Sequence, residues 1–317
     1  MNKYILKALR KIHSLYSNKV VLSGRNWNMF SNKEYSNDLI FKILMSDQPC
    51  MIARFGSTEM LSLVNYMGIK QNNRNWKDFI TGKSLMWWWS PETIRQLQKW
   101  SGFFPAESSK VEDFCRLMIN DISQVDVLGS WLNQEAYFES HLINAKKIVL
   151  EDLEPFFTSN PWTRALEGKK VLVVHPFAET IEMQYKKRKF LFENDLLPDF
   201  QLTTIKAVQS VAGEDTGFVD WFEALDSMKV QIDNADFDIC IIGCGAYGFP
   251  LAAHVKRIGK KAIHMAGATQ LLFGIKGKRW ERFIVWPYAN LFNEYWVRPG
   301  ENERPKNASA VEDACYW

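Results

Sequence analysis

The sequence lacks the signatures of the commonest enzyme classes. It has no phosphate loop ending in Gly-Lys-Ser/Thr, no G-x-S-x-G, no H-E-x-x-H and no C-x-x-C. P-loop kinases, serine hydrolases, zincins and thioredoxin-like redox proteins are disfavoured accordingly. Cysteine is scarce. The five present include one close pair, Cys240 and Cys244, and do not form a disulfide framework, so a reducing compartment is expected. Charge of one sign is also missing. Lysine plus arginine total 39 against 36 acids, and a net +3 is too small to argue for nucleic acid. No apolar run approaches the ~18 residues needed to cross a bilayer. Lys7, Arg10 and Lys11 break what would be the apolar core of a signal peptide. A cytoplasmic protein is expected. The chain has no internal repeat and no low-complexity segment.

What is present is a chain of 317 residues, 47% hydrophobic, with thirteen tryptophans. That is enough for a sizeable core, and the aromatics suit either a core or sugar stacking. Near the N-terminus Tyr4, Ile5, Ala8, Leu9, Ile12 and Leu15 form a helical stripe, with Lys3, Lys7, Arg10 and Lys11 mostly off it. Two readings follow: a helix packed on the domain, or a helix in peripheral contact with an anionic membrane surface through residues 1–20.

Short apolar runs alternate with helical ones. Strands are expected at Cys50–Arg54, Val125–Gly129, Lys147–Leu150, Val171–His175, Leu202–Val208, Phe237–Gly243 and Lys261–Met265. Helices are expected at Ser36–Met45, Glu59–Met67, Glu92–Trp100, Lys110–Ile122, Thr180–Glu193, Thr216–Asp233 and Pro250–Ile258. Continuous rather than alternating apolar runs mark strands covered on both faces. The order predicts an α/β, Rossmann-like, doubly wound and mostly parallel sheet flanked by helices. Residues 1–35 read as an N-terminal helix and arm, and 36–290 as one domain whose halves meet near 150–170. Residues 291–317 read as a polar, irregular tail. Ligands of such sheets bind beyond the strands' carboxyl ends.

Four stretches there carry candidate chemistry. In "MIARFGSTEM", Arg54 ends a strand, Gly56 permits a tight turn, Ser57 can cap a helix and Glu59 complements its dipole. Capping accounts for Ser57 and Glu59 but not for Arg54. In "GCGAYG", Gly243, Gly245 and Gly248 make a G-x-G-x-x-G around Tyr247, suited to a phosphate or merely to close strand–helix packing. The acid that would hold a dinucleotide ribose is missing, since His264, Met265 and Ala266 stand there before Gly267. In "VLVVHPFAET", His175 ends a strand and Glu179 starts a helix. His175 is a candidate base or hydroxyl ligand, or a structural residue. In "FGIKGKRWERF", Lys276, Lys278, Arg279 and Arg282 sit on a glycine-containing loop that could close over a diphosphate, or form a basic surface turn. Of the consecutive Trp87, Trp88 and Trp89, at least one is expected to line a groove where a sugar could stack, or to form a partner interface. Lys186 to Lys189 reads as a solvated helix face.

"ARFGSTE" followed by a helix resembles the "RFGDGE" opening of glycosyltransferases with the GT-D fold. "GKKVLVVHPF" and "FDICIIGCGAYGFPLAAHVKRIGKKAIHMAG" are similar to two later landmarks of that family. The likeness runs in islands over residues 40–285. It implies transfer of a sugar from a nucleotide sugar, most simply a UDP-sugar, to a bacterial surface glycan or a lipid-linked acceptor. It also implies a D-x-E element holding Mn²⁺ or Mg²⁺. Here that element reads Ser57-Thr58-Glu59, so one carboxylate is gone and Glu59 alone is left for a divalent cation. On this reading Glu59, His175 and Glu179 are catalytic candidates. Arg54, Gly56, Ser57, Gly243, Gly245, Tyr247, Gly248, Gly267, Lys276, Lys278 and Arg279 would contact the donor. A nucleotide-dependent oxidoreductase or epimerase, and a non-catalytic sugar-nucleotide-binding partner in a glycan assembly complex, remain alternatives.

Overall fold

Seven short segments pair side by side, all in one direction. In the computed structural model, which describes residues 2–16, 31–72, 74–281, 288–311 and 314–317, they are β1 Cys50–Ala53, β2 Val127–Ser130, β3 Lys146–Val149, β4 Lys170–His175, β5 Gln201–Lys206, β6 Ile239–Ile242 and β7 Lys261–His264. The sheet order is β3-β2-β1-β7-β6-β4-β5, and every pairing is parallel. The fold is therefore an α/β, Rossmann-like, parallel sheet, with each expected strand in place to within two residues.

The sheet's two faces follow from the period of two along each strand. Met51, Ala53, Leu128, Leu172, Val174, Cys240 and Ile242 point to one core. Cys50, Ile52, Val127, Val171, Val173, Ile239, Ile241 and Ile263 point to the other. The first core is covered by helices α3 (Ser57–Lys70), α5 (Pro91–Ser101), α6 (Ser108–Ile122), α8 (Trp221–Asp233) and α9 (Gly248–Arg257). The second is covered by α2 (Lys33–Met45), α7 (Ala178–Tyr185) and the segments that follow β7. The chain thus leaves β1 toward one face and β7 toward the other. A crevice opens between these two central strands at their carboxyl ends, the place where doubly wound sheets bind ligands.

Several local expectations are corrected. Helix α7 stops at Tyr185 instead of running to Glu193, and only a short 3-10 turn, Arg188–Phe190, follows. The Tyr185 hydroxyl is held by the Phe200 backbone, accepting from its N–H at 2.6 Å and donating to its carbonyl at 2.8 Å. Lys186, Lys187 and Lys189 are solvated, but beyond the helix. The three consecutive tryptophans do not reach the crevice. Trp87 and Trp88 pack on Phe79 at 5.4 and 5.2 Å, and Trp89 stacks on Tyr66. The tail is not a loose appendage either. Val311, Ala314, Cys315 and Trp317 are buried, and Arg298 donates to the Trp317 carbonyl at 3.2 Å.

The N-terminal helix α1, Lys3–Tyr16, packs on the domain beside the short helix α4, Trp76–Ile80. It does so through Leu6 and Arg10, not through the apolar stripe, which faces outward.

Candidate functional site

A cavity of about 520 Å³ lies over the carboxyl ends of the central strands. That size is in the range of small-molecule sites. Its floor is set by sequence. Each buried strand delivers its last residue or the next to the same sheet edge, which brings together Arg54 after β1, His264 at the end of β7, Gly243 after β6 and His175 at the end of β4.

Arg54 is half-buried and stands over the Trp131 ring at 4.8 Å. Trp131 is fixed in turn. Its indole N–H donates to the Phe55 carbonyl at 2.9 Å, and its backbone N–H donates to Glu135 at 3.0 Å. Among the described residues no carboxylate lies within ion-pairing distance of the Arg54 guanidinium and no acceptor takes its hydrogen bonds. Burial lowers its pKa, with Glu59 working in the opposite direction from farther off. An arginine stays charged under any such shift. Five N–H donors in a partly dry cavity without an anion are costly unless a ligand supplies one.

Next to Arg54 the α3 helix begins. The expectation that Ser57 caps it is corrected. Gly56 is the N-cap, no side chain caps the helix, and Ser57 is its exposed first residue. The first-turn N–H groups therefore open into the cavity along with the positive end of the helix dipole. Glu59 folds back over Gly56 so closely that a Cβ there would come within 1.8 Å of its carboxylate oxygen. That oxygen accepts from the Thr58 hydroxyl at 2.9 Å, and Thr58 is bonded to Ser101 across the cavity wall. Glycine at position 56 thus places a carboxylate at the helix mouth.

Both histidines are neutral because they are buried. Burial pushes His175 down to about 3, and its Nδ1 accepts from the Phe177 N–H at 3.0 Å, which leaves the proton on Nε2. His264 is likewise pushed to about 3, first by burial and then by the Arg54 charge, and its Nδ1 lies 3.2 Å from the Ile242 carbonyl. His175 is thus a hydrogen-bond donor toward the cavity rather than a base working near neutral pH.

The glycines of the "GCGAYG" turn each serve packing. A Cβ on Gly243 would meet the Ala266 carbonyl at 2.6 Å, and one on Gly248 would meet the His264 ring at 2.1 Å. Gly245 sits at φ +56, where glycine is favoured. Tyr247 is buried against Trp221 and its hydroxyl lies 2.9 Å from Ser210, so it holds the turn in place. Gly267 lies under Tyr316, with room for no Cβ.

Of the basic loop, Arg279 lines the cavity, stacking on Tyr316 at 4.7 Å and donating to its hydroxyl at 2.9 Å. Lys276 and Lys278 are not brought to the cavity, and Arg282 lies outside the described residues. Glu179 is also not brought there. It is exposed on α7 and pairs with Lys206 at 2.8 Å and Asn302 at 2.5 Å. The adjacent Ala178 and Thr180 take the inward positions instead.

A divalent cation finds no ready set of ligands. Among the described residues no three His, Cys, Asp or Glu side chains converge on one point. Asp152 is engaged elsewhere, accepting from Ser31 at 2.5 Å and the Asn32 N–H at 2.8 Å at the start of α2. Glu59 with a neutral Ser57 does not make a resident metal site by itself.

Sequence reasoning missed the aromatic wall. Trp100, Trp131, Trp280, Tyr316 and Trp317 all line the cavity. The one signal for it was the Cys-Tyr-Trp ending of an otherwise polar tail.

The neutral histidines fix a pH dependence. An unfolded chain protonates both near their ordinary value of 6.5, whereas the native state refuses both protons down to about 3. Their contribution is present above about pH 6.5 and is lost as pH falls. Asp121 opposes them, since burial raises it to about 6 and the native state keeps its proton. Two protons against one leave a net loss of stability on acidification. Urea midpoints should fall between about pH 7 and about pH 5, and His264→Gln should flatten the slope.

Compared with models of known families, with curated proteins and with solved structures, the chain matches none.

Proposed function

We propose that the protein is a glycosyltransferase that takes a sugar from a nucleotide diphosphate donor, a UDP-sugar in the first instance, and passes it to a surface glycan or lipid-linked acceptor. The observation that carries this reading is Arg54, a half-buried guanidinium with no counter-ion among the described residues, at the crevice of a parallel sheet and beside an uncapped helix N-terminus. That combination suits a diphosphate. The resemblance of "ARFGSTE" to the GT-D opening adds the sugar.

In the transfer the bond from the anomeric carbon to the diphosphate oxygen breaks as the acceptor oxygen bonds to that carbon, and the acceptor's proton passes to the Glu59 carboxylate or to solvent. Negative charge builds on the leaving diphosphate. Arg54, the α3 N-terminus and Arg279 are the groups placed to meet that charge. Glu59 would accept from a sugar hydroxyl, and the His175 Nε2–H would donate to one. Trp131 and Trp100 offer faces for a sugar or base. Among the described residues no set of metal ligands forms at the cavity.

Packing on Ala266, Thr269 and His264 accounts for Gly243 and Gly248, which weakens the motive for the dinucleotide alternative. A thermal-shift panel separates the two. UDP or a UDP-sugar should stabilise the protein, by about 2.7 kcal/mol at a hundredfold excess over its dissociation constant. NADH should not. A clear shift with NADH and none with any nucleotide sugar would defeat the proposal.

A further inference from the structure

Helix α1 holds to the domain by one face only. Leu6 is buried, Arg10 lies over the Phe79 ring at 4.7 Å, and Lys7 pairs with Glu92 at 3.3 Å. Tyr4, Ile5, Ala8, Leu9, Ile12, Leu15 and Tyr16 occupy the opposite face, spaced as a single helical stripe, and all are exposed. Ile5 and Ile12 are each 52% exposed and Leu15 75%. An amphipathic helix on a globular domain ordinarily turns such a stripe inward. Here the outward face is the apolar one.

The charge pattern says what covers it. The helix carries Lys3, Lys7, Arg10 and Lys11 and no acidic residue. Lys3 and Lys11 are exposed, and Lys7 is only half-buried by its ion pair. An apolar groove on another protein would explain the stripe but not a helix whose charged residues are all cationic. An anionic bilayer explains both, because the stripe enters the headgroup–acyl boundary while the ammonium groups meet lipid headgroups. Fourteen residues rise about 21 Å, too short to span the hydrocarbon core, so the helix must lie in the plane. We propose that α1 is a membrane-surface helix that seats this protein on an anionic lipid bilayer. The inference stands apart from sugar transfer, and its test needs no activity.

The test is co-sedimentation of the full chain with vesicles of phosphatidylcholine alone or with about 30% phosphatidylglycerol. Wild type should pellet with the anionic vesicles, and added salt should release it. Ile5→Glu with Ile12→Glu should weaken binding about tenfold or more at an unchanged melting temperature. Should that variant melt early, Leu9→Gln alone provides a milder probe of the same stripe. Lys3→Gln and Lys11→Gln should each weaken binding about fivefold. Absence of wild-type binding, equal binding to both vesicles, or binding indifferent to the stripe variants would overturn the proposal. A dimer seen by light scattering, abolished by the stripe variants and accompanied by no vesicle binding, would assign the stripe to a second copy and overturn it as well.

Discussion

Replacing Arg54 with alanine is expected to lower kcat/KM for sugar transfer by about 10²–10³-fold, the usual cost of deleting one preorganised donor to a developing negative charge. The fold should scarcely notice. Arg54 has no ion-pair partner among the described residues, so its removal leaves no buried carboxylate behind. Only its cation–π interaction with Trp131 disappears, worth about 0.5–1 kcal/mol. Arg54→Lys should fall between, since it keeps a charge but loses the planar fork that grips a diphosphate. Lys187→Ala is the control, because Lys187 is solvated beyond the end of α7. Steady-state rates with a UDP-sugar, set beside melting curves, decide the matter. Equal, small losses in Arg54→Ala and Lys187→Ala would remove Arg54 from the site.

The largest effect on stability is expected at Trp221. This side chain is fully buried at the start of α8, stacked on Tyr247 with centroids 5.0 Å apart. Phe114 and Phe222 meet it edge-on, each at 5.2 Å, and Phe103 lies at 5.5 Å. Trp221→Ala should cost about 3–5 kcal/mol, as transfer free energy and as the cavity left among rings that cannot collapse. The urea midpoint should drop with little change in slope. Trp221→Phe should cost much less, because the indole N–H has no acceptor among the described residues and its loss orphans nothing. The effect reaches the site, since Tyr247 without its stacking partner holds the glycine turn less firmly, and the folded alanine variant should bind UDP more weakly. A loss below about 1 kcal/mol in Trp221→Ala would contradict so close a packing of rings.

The fold was readable because interior strands of a parallel sheet are apolar throughout, and runs such as "VLVV" and "ICII" have no other common use. Arg54 was readable for the same reason, being the charged residue that terminates such a run. The misses have local causes. Ser57 is a good capping residue by type, but the N-cap falls one residue earlier, at Gly56, where the folded-back Glu59 leaves no room for a Cβ. Glu179 was one position out of phase, since burial of Ala178, Thr180 and Ile181 turns it to solvent. The aromatic wall from Trp131, Tyr316 and Trp317 was hidden because it depends on contacts between segments far apart in the chain, which no local pattern encodes.

The place of β7 has a consequence for biosynthesis. This strand inserts between β1 and β6, pairing Cys50 with Lys261 and Ile239 with Lys261. A ribosome therefore delivers β1 long before its central neighbour exists. Until residues 261–264 emerge, one edge of β1 has no strand to pair with, and its apolar face is open to any other extended chain. The crevice with Arg54 on one side and His264 on the other cannot assemble before that moment. Loop closure over some two hundred residues makes this a slow, non-local step by the relation between contact order and rate. The nascent protein is thus most exposed to aggregation just before the crevice assembles.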